Sequence, residues 1–162
     1  MGIENMTPQE IQATIDGGYR AAGNVFRCTM DVLENKFGKQ VARAIAQEIV
    51  RHKGEVQGEF AAAKFGKGGF DNLSQAHRAG FPEIQILEHT PKRYVIQDHH
   101  GAILDGWRAS GLSAERIKEL GDLYCPGDLY FAREFNPDIQ LEFASRMADG
   151  KPFCQWVFTL PE

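Results

Sequence analysis

Two short stretches carry side chains able to do covalent or acid–base chemistry. The first is Cys125-Pro-Gly-Asp128. A thiol just before a helix N-terminus feels the positive end of the helix dipole, which lowers a cysteine pKa and favours the thiolate nucleophile. Asp128, three residues on, can accept backbone N–H bonds or orient a histidine. The plain alternative is a small buried thiol beside an ordinary helix cap. The second stretch is Asp98-His99-His100-Gly101, which closes an extended segment; a reactive group there is held from behind and open in front. Adjacent residues on an extended chain point oppositely, so only one of His99 and His100 faces a pocket. Two exposed turn histidines are the competing picture.

Other candidates are weaker. Cys154 alternates with Trp156 and Phe158, the pattern of a strand's core face. His52 sits on an apolar helix face, where a hydrogen-bonded core histidine is the ordinary outcome, and His77 and His89 carry no further signal. Cys125, Cys154 and one histidine of the 99–100 pair are soft ligands suited to zinc. None has C-x-x-C or H-x-x-x-H spacing, so no metal and no cofactor is expected. There is no dinucleotide fingerprint, haem-attachment motif or G-x-S-x-G elbow. The glycines of residues 66–70 lack the preceding strand and the GKS or GKT ending of a phosphate loop. Trp107, Tyr130, Phe131 and Trp156 suit either a core or the wall of a pocket for a small apolar ligand.

The chain that must position these groups has 162 residues, 43% of them hydrophobic and 25% charged. That is room for one domain spanning 1–162, with a helical part over 8–65 and a mixed part over 80–162. Eighteen Lys and Arg stand against 22 Asp and Glu, a net charge of -4 with no basic block, which argues against nucleic acid and anionic membranes as partners. No basic segment followed by an apolar run opens the chain, and no stretch approaches the roughly 18 apolar residues of a membrane span, so a cytoplasmic location is expected. The three cysteines, Cys28, Cys125 and Cys154, are odd in number and widely spaced, as reduced thiols are.

Thr7, Pro8 and Glu10 make a helix start with a capping box. Ile11, Ile15, Tyr19, Ala22, Phe26, Met30 and Leu33 then form one stripe, interrupted by Gly17-Gly18 and stopped by Gly38. A second helix from about Lys39 to Phe60 carries Val41, Ile45, Ile49, His52, Val56 and Phe60 on one face, and the two helices pack as a hairpin. From Ile84 the period changes to two. Strands are expected over 84–97 and 138–159, with short helices near 71–78, 101–110, 114–124 and 129–135. The fold class is α+β: an N-terminal helical hairpin followed by a small antiparallel β-sheet covered by helices.

The order of motifs in the second half is Leu120-Gly-Asp-Leu-Tyr-Cys125-Pro-Gly-Asp128, Phe135-Asn-Pro137, Gly150, then Phe153-Cys154-Gln-Trp-Val-Phe158. It resembles the L-2-amino-thiazoline-4-carboxylic acid hydrolase family, most strongly over this half. The resemblance implies a hydrolase acting on a C–N bond of a small, cyclic substrate. Cys125 would be nucleophile or electrostatic partner, His99 or His100 the base and Asp128 the orienting carboxylate. Arg20 or Arg108 would clamp a substrate carboxylate, with Trp107, Trp156 and Cys154 lining the substrate site. Typical members carry a further cysteine at the end of the strand that here reads Tyr94-Val-Ile-Gln-Asp-His-His-Gly101, so a histidine occupies its neighbourhood. The family is also similar to small ligand-binding domains found beside bacterial regulators. A non-enzymatic binding or sensor-like domain is therefore the alternative. A small molecule is the expected partner in either case, and self-association into a homo-oligomer is left open.

Overall fold

Thr7 opens the long helical element α1 (Pro8–Phe65) in the manner its sequence demands. Its hydroxyl accepts from the Glu10 N–H at 3.3 Å, and the Glu10 carboxylate accepts from the Thr7 N–H at 2.7 Å. Gly17-Gly18, each about 1 kcal/mol worse than Ala in a helix, does not interrupt it. Burial of Asp16, Gly23, Phe26 and Met30 on one face carries the helix through. The break comes at Gly38, whose φ of 79° and ψ of 160° are non-helical and suit a residue without Cβ. It separates an arm over 8–37 from an arm over 39–65. Gln12, Asp16 and Tyr19 of the first arm face the same cavity as Lys53, Gln57 and Lys64 of the second, so the chain folds back on itself. The computed structural model describes residues 6–161; residues 1–5, the start of the stretch read for a targeting signal, lie outside it.

The second arm packs on a face other than the one its bulky residues mark. Ala42, Ala46, Val50, Gly54, Gly58 and Ala62, at steps of four, are buried. Val41, Ile49, Val56 and Phe60 are 42–77% exposed. The small residues win because they admit a neighbouring helix, α5 (Gly127–Arg133), to backbone contact. A Cβ built on Gly54 would lie 2.5 Å from the Gly127 carbonyl oxygen, and one on Gly58 the same distance from that of Phe131.

After α2 (Phe70–Gly80) come β1 (Gln85–His89) and β2 (Arg93–Asp98), then α3 (Ala102–Ala109), α4 (Ala114–Tyr124) and α5, and finally β3 (Gln140–Ser145) and β4 (Cys154–Thr159). The four strands pair antiparallel in the order β1-β2-β4-β3. Tyr94 stands opposite Phe158, Ile96 opposite Trp156, and Asp98 opposite Cys154. The fold is α+β, with the sheet packed against helices.

The core is divided. One buried cluster joins both arms of α1 to α3 and α4 through Phe26, Met30, Val50, Trp107 and Leu120. The other joins α2, α5 and the sheet through Phe70, Leu73, Tyr94, Phe135 and Phe158. Arg116 on α4 fixes the first arm by bonds to Asp31 (3.0 Å) and Glu34 (2.8 Å). No helix among the described residues is long and apolar enough to cross a membrane.

Candidate functional site

Between the two clusters lies a cavity of about 720 Å³. Ile103, Leu104, Trp107 and Tyr124 of the first cluster line it together with Phe65, Ala76, Ile84, Phe131 and Trp156 of the second; His77 also lines it. Polar groups from distant parts of the chain meet along it.

The end of β2 supplies the first group. Asp98 is buried, and its Oδ1 accepts the His100 N–H at 2.8 Å, turning the chain sharply at the strand end. That turn sets the His100 ring against the first arm of α1, where Nε2 lies 2.7 Å from Oδ2 of Asp16. Asp16 is itself buried and receives the Gln12 amide at 2.8 Å, with the Arg20 guanidinium at 3.8 Å. The hydrogen bond to Asp16 holds the His100 pKa above its ordinary value, because the carboxylate favours the imidazolium. Burial pushes the Asp98 carboxyl up. His99 points elsewhere: it is exposed, 2.7 Å from the Gln97 amide, with its ring against Phe153. Of the adjacent histidines only His100 lines the cavity.

The turn from α4 into α5 supplies the second group. Cys125, Asp128, Cys154 and Trp156 all line the cavity. Asp128 Oδ2 accepts the Trp156 indole N–H at 2.8 Å. Burial pushes the Asp128 carboxyl up, because a desolvated site disfavours the carboxylate. Burial likewise pushes the Cys125 thiol up to about 12, with Asp128 and Cys154 adding to the rise. This reverses the lowering expected from a helix N-terminus. Cys125 is the residue that ends α4, its N–H bonded back to Gly121 O at 3.0 Å, and it lies in a desolvated wall beside an acid. Cys125 is therefore a thiol at neutral pH. Cys154 Sγ accepts the Met147 N–H at 3.3 Å, and burial raises its pKa as well.

The remaining residues singled out from the sequence are placed as follows. Arg20 is half exposed and reaches Asp16 from the rim. Arg108 pairs with Asp105 at 2.9 Å and leans on Met147 O, away from the cavity lining. Trp107 is buried, and its indole N–H donates to Gly23 O at 2.9 Å, a core role although one edge meets the cavity. Tyr130 is not in the lining, whereas Phe131 is.

Lining residues that the sequence reading did not assign to the site include Asp16, Tyr19, Lys53 and His77. Lys53 holds its ammonium 4.1 Å from the Tyr124 ring centroid, in the cation–π manner. Tyr19 stacks on Phe81 at 5.3 Å and donates to Gly80 O at 3.3 Å. Asp16, Tyr19 and Lys53 sit on helices whose partner faces are set by tertiary packing, and no local spacing links them to His100. Among the described residues no three His, Cys, Asp or Glu side chains converge as metal ligands would.

A family model described as L-2-amino-thiazoline-4-carboxylic acid hydrolase matches residues 18–158. No curated protein gives a significant sequence match. Among solved structures, the crystal structure of the phenol-responsive sensory domain of the transcription activator PoxR with phenol is similar in fold. Its TM-score is 0.54 at 12% identity, over 88% of this chain and 74% of that one.

Proposed function

Because the chain belongs to the L-2-amino-thiazoline-4-carboxylic acid hydrolase family, we propose that it hydrolyses a carbon–nitrogen bond in a small cyclic substrate, with His100 as general base. The observation that carries this reading is the 2.7 Å contact between Asp16 and His100 on the wall of a cavity that also holds the half-buried Asp128. The His100 Nε2–H donates to Asp16, which leaves Nδ1 as the basic nitrogen. Asp16 fixes that tautomer and stabilises the imidazolium formed when Nδ1 takes a proton from water. The water oxygen bonds to the ring carbon flanked by heteroatoms, and the ring C–N bond then breaks. Asp128, whose carboxyl burial pushes up, protonates the ring nitrogen as the oxygen adds and takes back the proton of the new hydroxyl as the C=O forms; the nitrogen leaves with the C–N electron pair and the proton that the His100 imidazolium returns to it, so that both side chains end as they began. Lys53 and Lys64, which line the cavity, are the cations available to a substrate carboxylate, in place of Arg20 and Arg108. Cys125 meets the substrate as a thiol, and water activated by His100 replaces the thiolate as nucleophile.

The apolar and aromatic walls favour a second reading, a domain that binds a small ligand without turning it over. The description of the PoxR domain as phenol-responsive is in keeping with it. A panel of aminothiazolines, cyclic amidines and lactams, followed by mass spectrometry, separates the two. Ring-opened product carrying one added water, formed by wild type and reduced roughly 100-fold or more in His100→Asn, supports the hydrolase. Stabilisation by a panel compound with no product from any of them supports the binding domain.

A further inference from the structure

The cavity is larger than the reacting part of such a substrate needs. A five-membered ring with a carboxylate occupies on the order of 150 Å³, whereas sites of roughly 300–1,000 Å³ hold drug-sized molecules; this one measures about 720 Å³. An unusual histidine stands in its lining.

His77 on α2 is 5% exposed and lines the cavity. Its ring stacks on Phe131 (5.7 Å, 23°) and Tyr94 (5.8 Å, 12°), with Phe158 at 5.5 Å and Phe81 at 6.4 Å. Its Nδ1 is buried and has no hydrogen-bond partner. A buried polar atom left unpaired is destabilising. Stacking alone does not call for it, since a phenylalanine would stack as well. Burial pushes the imidazole down to about 3, so the ring is neutral. An orphaned N–H is rarer than an orphaned acceptor, which puts the hydrogen on Nε2. With Nδ1 sealed off, Nε2–H is the group left to meet a molecule in the cavity.

We propose that the wall formed by His77, Phe81, Phe131 and Tyr19 is a subsite for an aryl group bearing a hydrogen-bond acceptor, with the His77 Nε2–H as its donor. The aryl face would lie against the Tyr19–Phe81 stack, and the acceptor, a carbonyl or ether oxygen, would take the imidazole hydrogen. The subsite goes beyond the proposed reaction. If the polar end is a hydrolase, it selects substrates with an aryl substituent; its binding chemistry does not depend on turnover.

The test uses acetophenone and ethylbenzene, similar in size and differing in the carbonyl acceptor, with binding to the full chain measured by calorimetry. Wild type is expected to bind acetophenone roughly 3- to 10-fold tighter than ethylbenzene, the range for one net hydrogen bond. His77→Phe should keep or raise the melting temperature and lose that preference. Equal binding of the two probes, binding of neither, or a preference that survives in His77→Phe overturns the proposal. Should His77→Phe not fold, nitrogen NMR of wild type decides: acetophenone must shift the His77 Nε2 resonance, and an unmoved resonance overturns the assignment. His100→Asn is expected to leave the preference unchanged. Absence of turnover by wild type would therefore count against the hydrolase reading and not against this subsite.

Discussion

Gly54→Ala is a one-carbon change whose effect follows from the way α5 is seated. A Cβ at this position would stand 2.5 Å from the Gly127 carbonyl oxygen, 2.8 Å from Tyr130 Cβ and 3.2 Å from the Phe131 backbone nitrogen. Two of these three are backbone atoms, which no rotamer change can move aside, so the helices must separate. Overpacking of this kind destabilises by about 1–3 kcal/mol, and at a backbone–backbone contact the upper end applies. Alanine returns about 1 kcal/mol of helix propensity, leaving a net loss near 2 kcal/mol. For a chain of this size that lowers the melting temperature by about 4–8 °C. Gly17→Ala provides the opposite sign: nothing lies within 4 Å of its Cβ, and the substitution should stabilise by roughly 0.5–1 kcal/mol. Because α5 carries Asp128 and Phe131 into the cavity, Gly54→Ala should also weaken acetophenone binding, and Gly17→Ala should not. Calorimetric melting of both variants is the assay. A Gly54→Ala protein as stable as wild type would refute the account of the small-residue face.

Three further outcomes are expected. At pH 7.5 iodoacetamide should label exposed Cys28 well before Cys125, read by peptide mass spectrometry, because a thiol pushed up to about 12 is almost wholly protonated there. Trp107→Phe should lower stability by about 1–2 kcal/mol, seen in urea denaturation, by opening a void and removing the indole N–H bond to the Gly23 carbonyl, with acetophenone affinity little changed. His77 is held below its unfolded value of 6.5, down to about 3, so its stability contribution is complete above pH 6.5 and is lost as pH falls through that window. In His77→Phe the acid limb of stability between pH 6.5 and 3 should flatten, as followed by denaturant melts across pH.

Local signals in the sequence translated directly into structure. The Thr7–Glu10 box, the stop at Gly38 and the change to period two each mark a feature set by near neighbours along the chain. The Gly17-Gly18 pair leaves the helix unbroken because its local disadvantage is small beside the burial of the arm around it. Helix faces were harder. In the second arm the large apolar residues mark one stripe and the small ones another, and only the presence of α5 reveals that close approach outweighs side-chain bulk. Short segments singled out from the sequence reach the cavity lining: Cys125 and Asp128 in one, Cys154 and Trp156 in a second, and His100 in a third. The site was illegible where the partner is remote. Asp16 lies 84 residues from His100, and the direction of the Cys125 shift depends on desolvation that only the folded surroundings provide.

The central claim is that Asp16 tunes His100 as the base, and the pH dependence of kcat/KM tests it most directly. The active form of His100 is neutral, and its hydrogen bond to Asp16 raises its pKa above 6.5. Hydrolysis of a reactive panel compound by wild type should therefore rise with pH through an apparent pKa above 6.5. Asp16→Asn removes the charge that favours the imidazolium, so its limb should move to lower pH while the plateau falls roughly 100-fold or more. A limb in Asp16→Asn at the same pH as in wild type, with the plateau retained, would contradict the account.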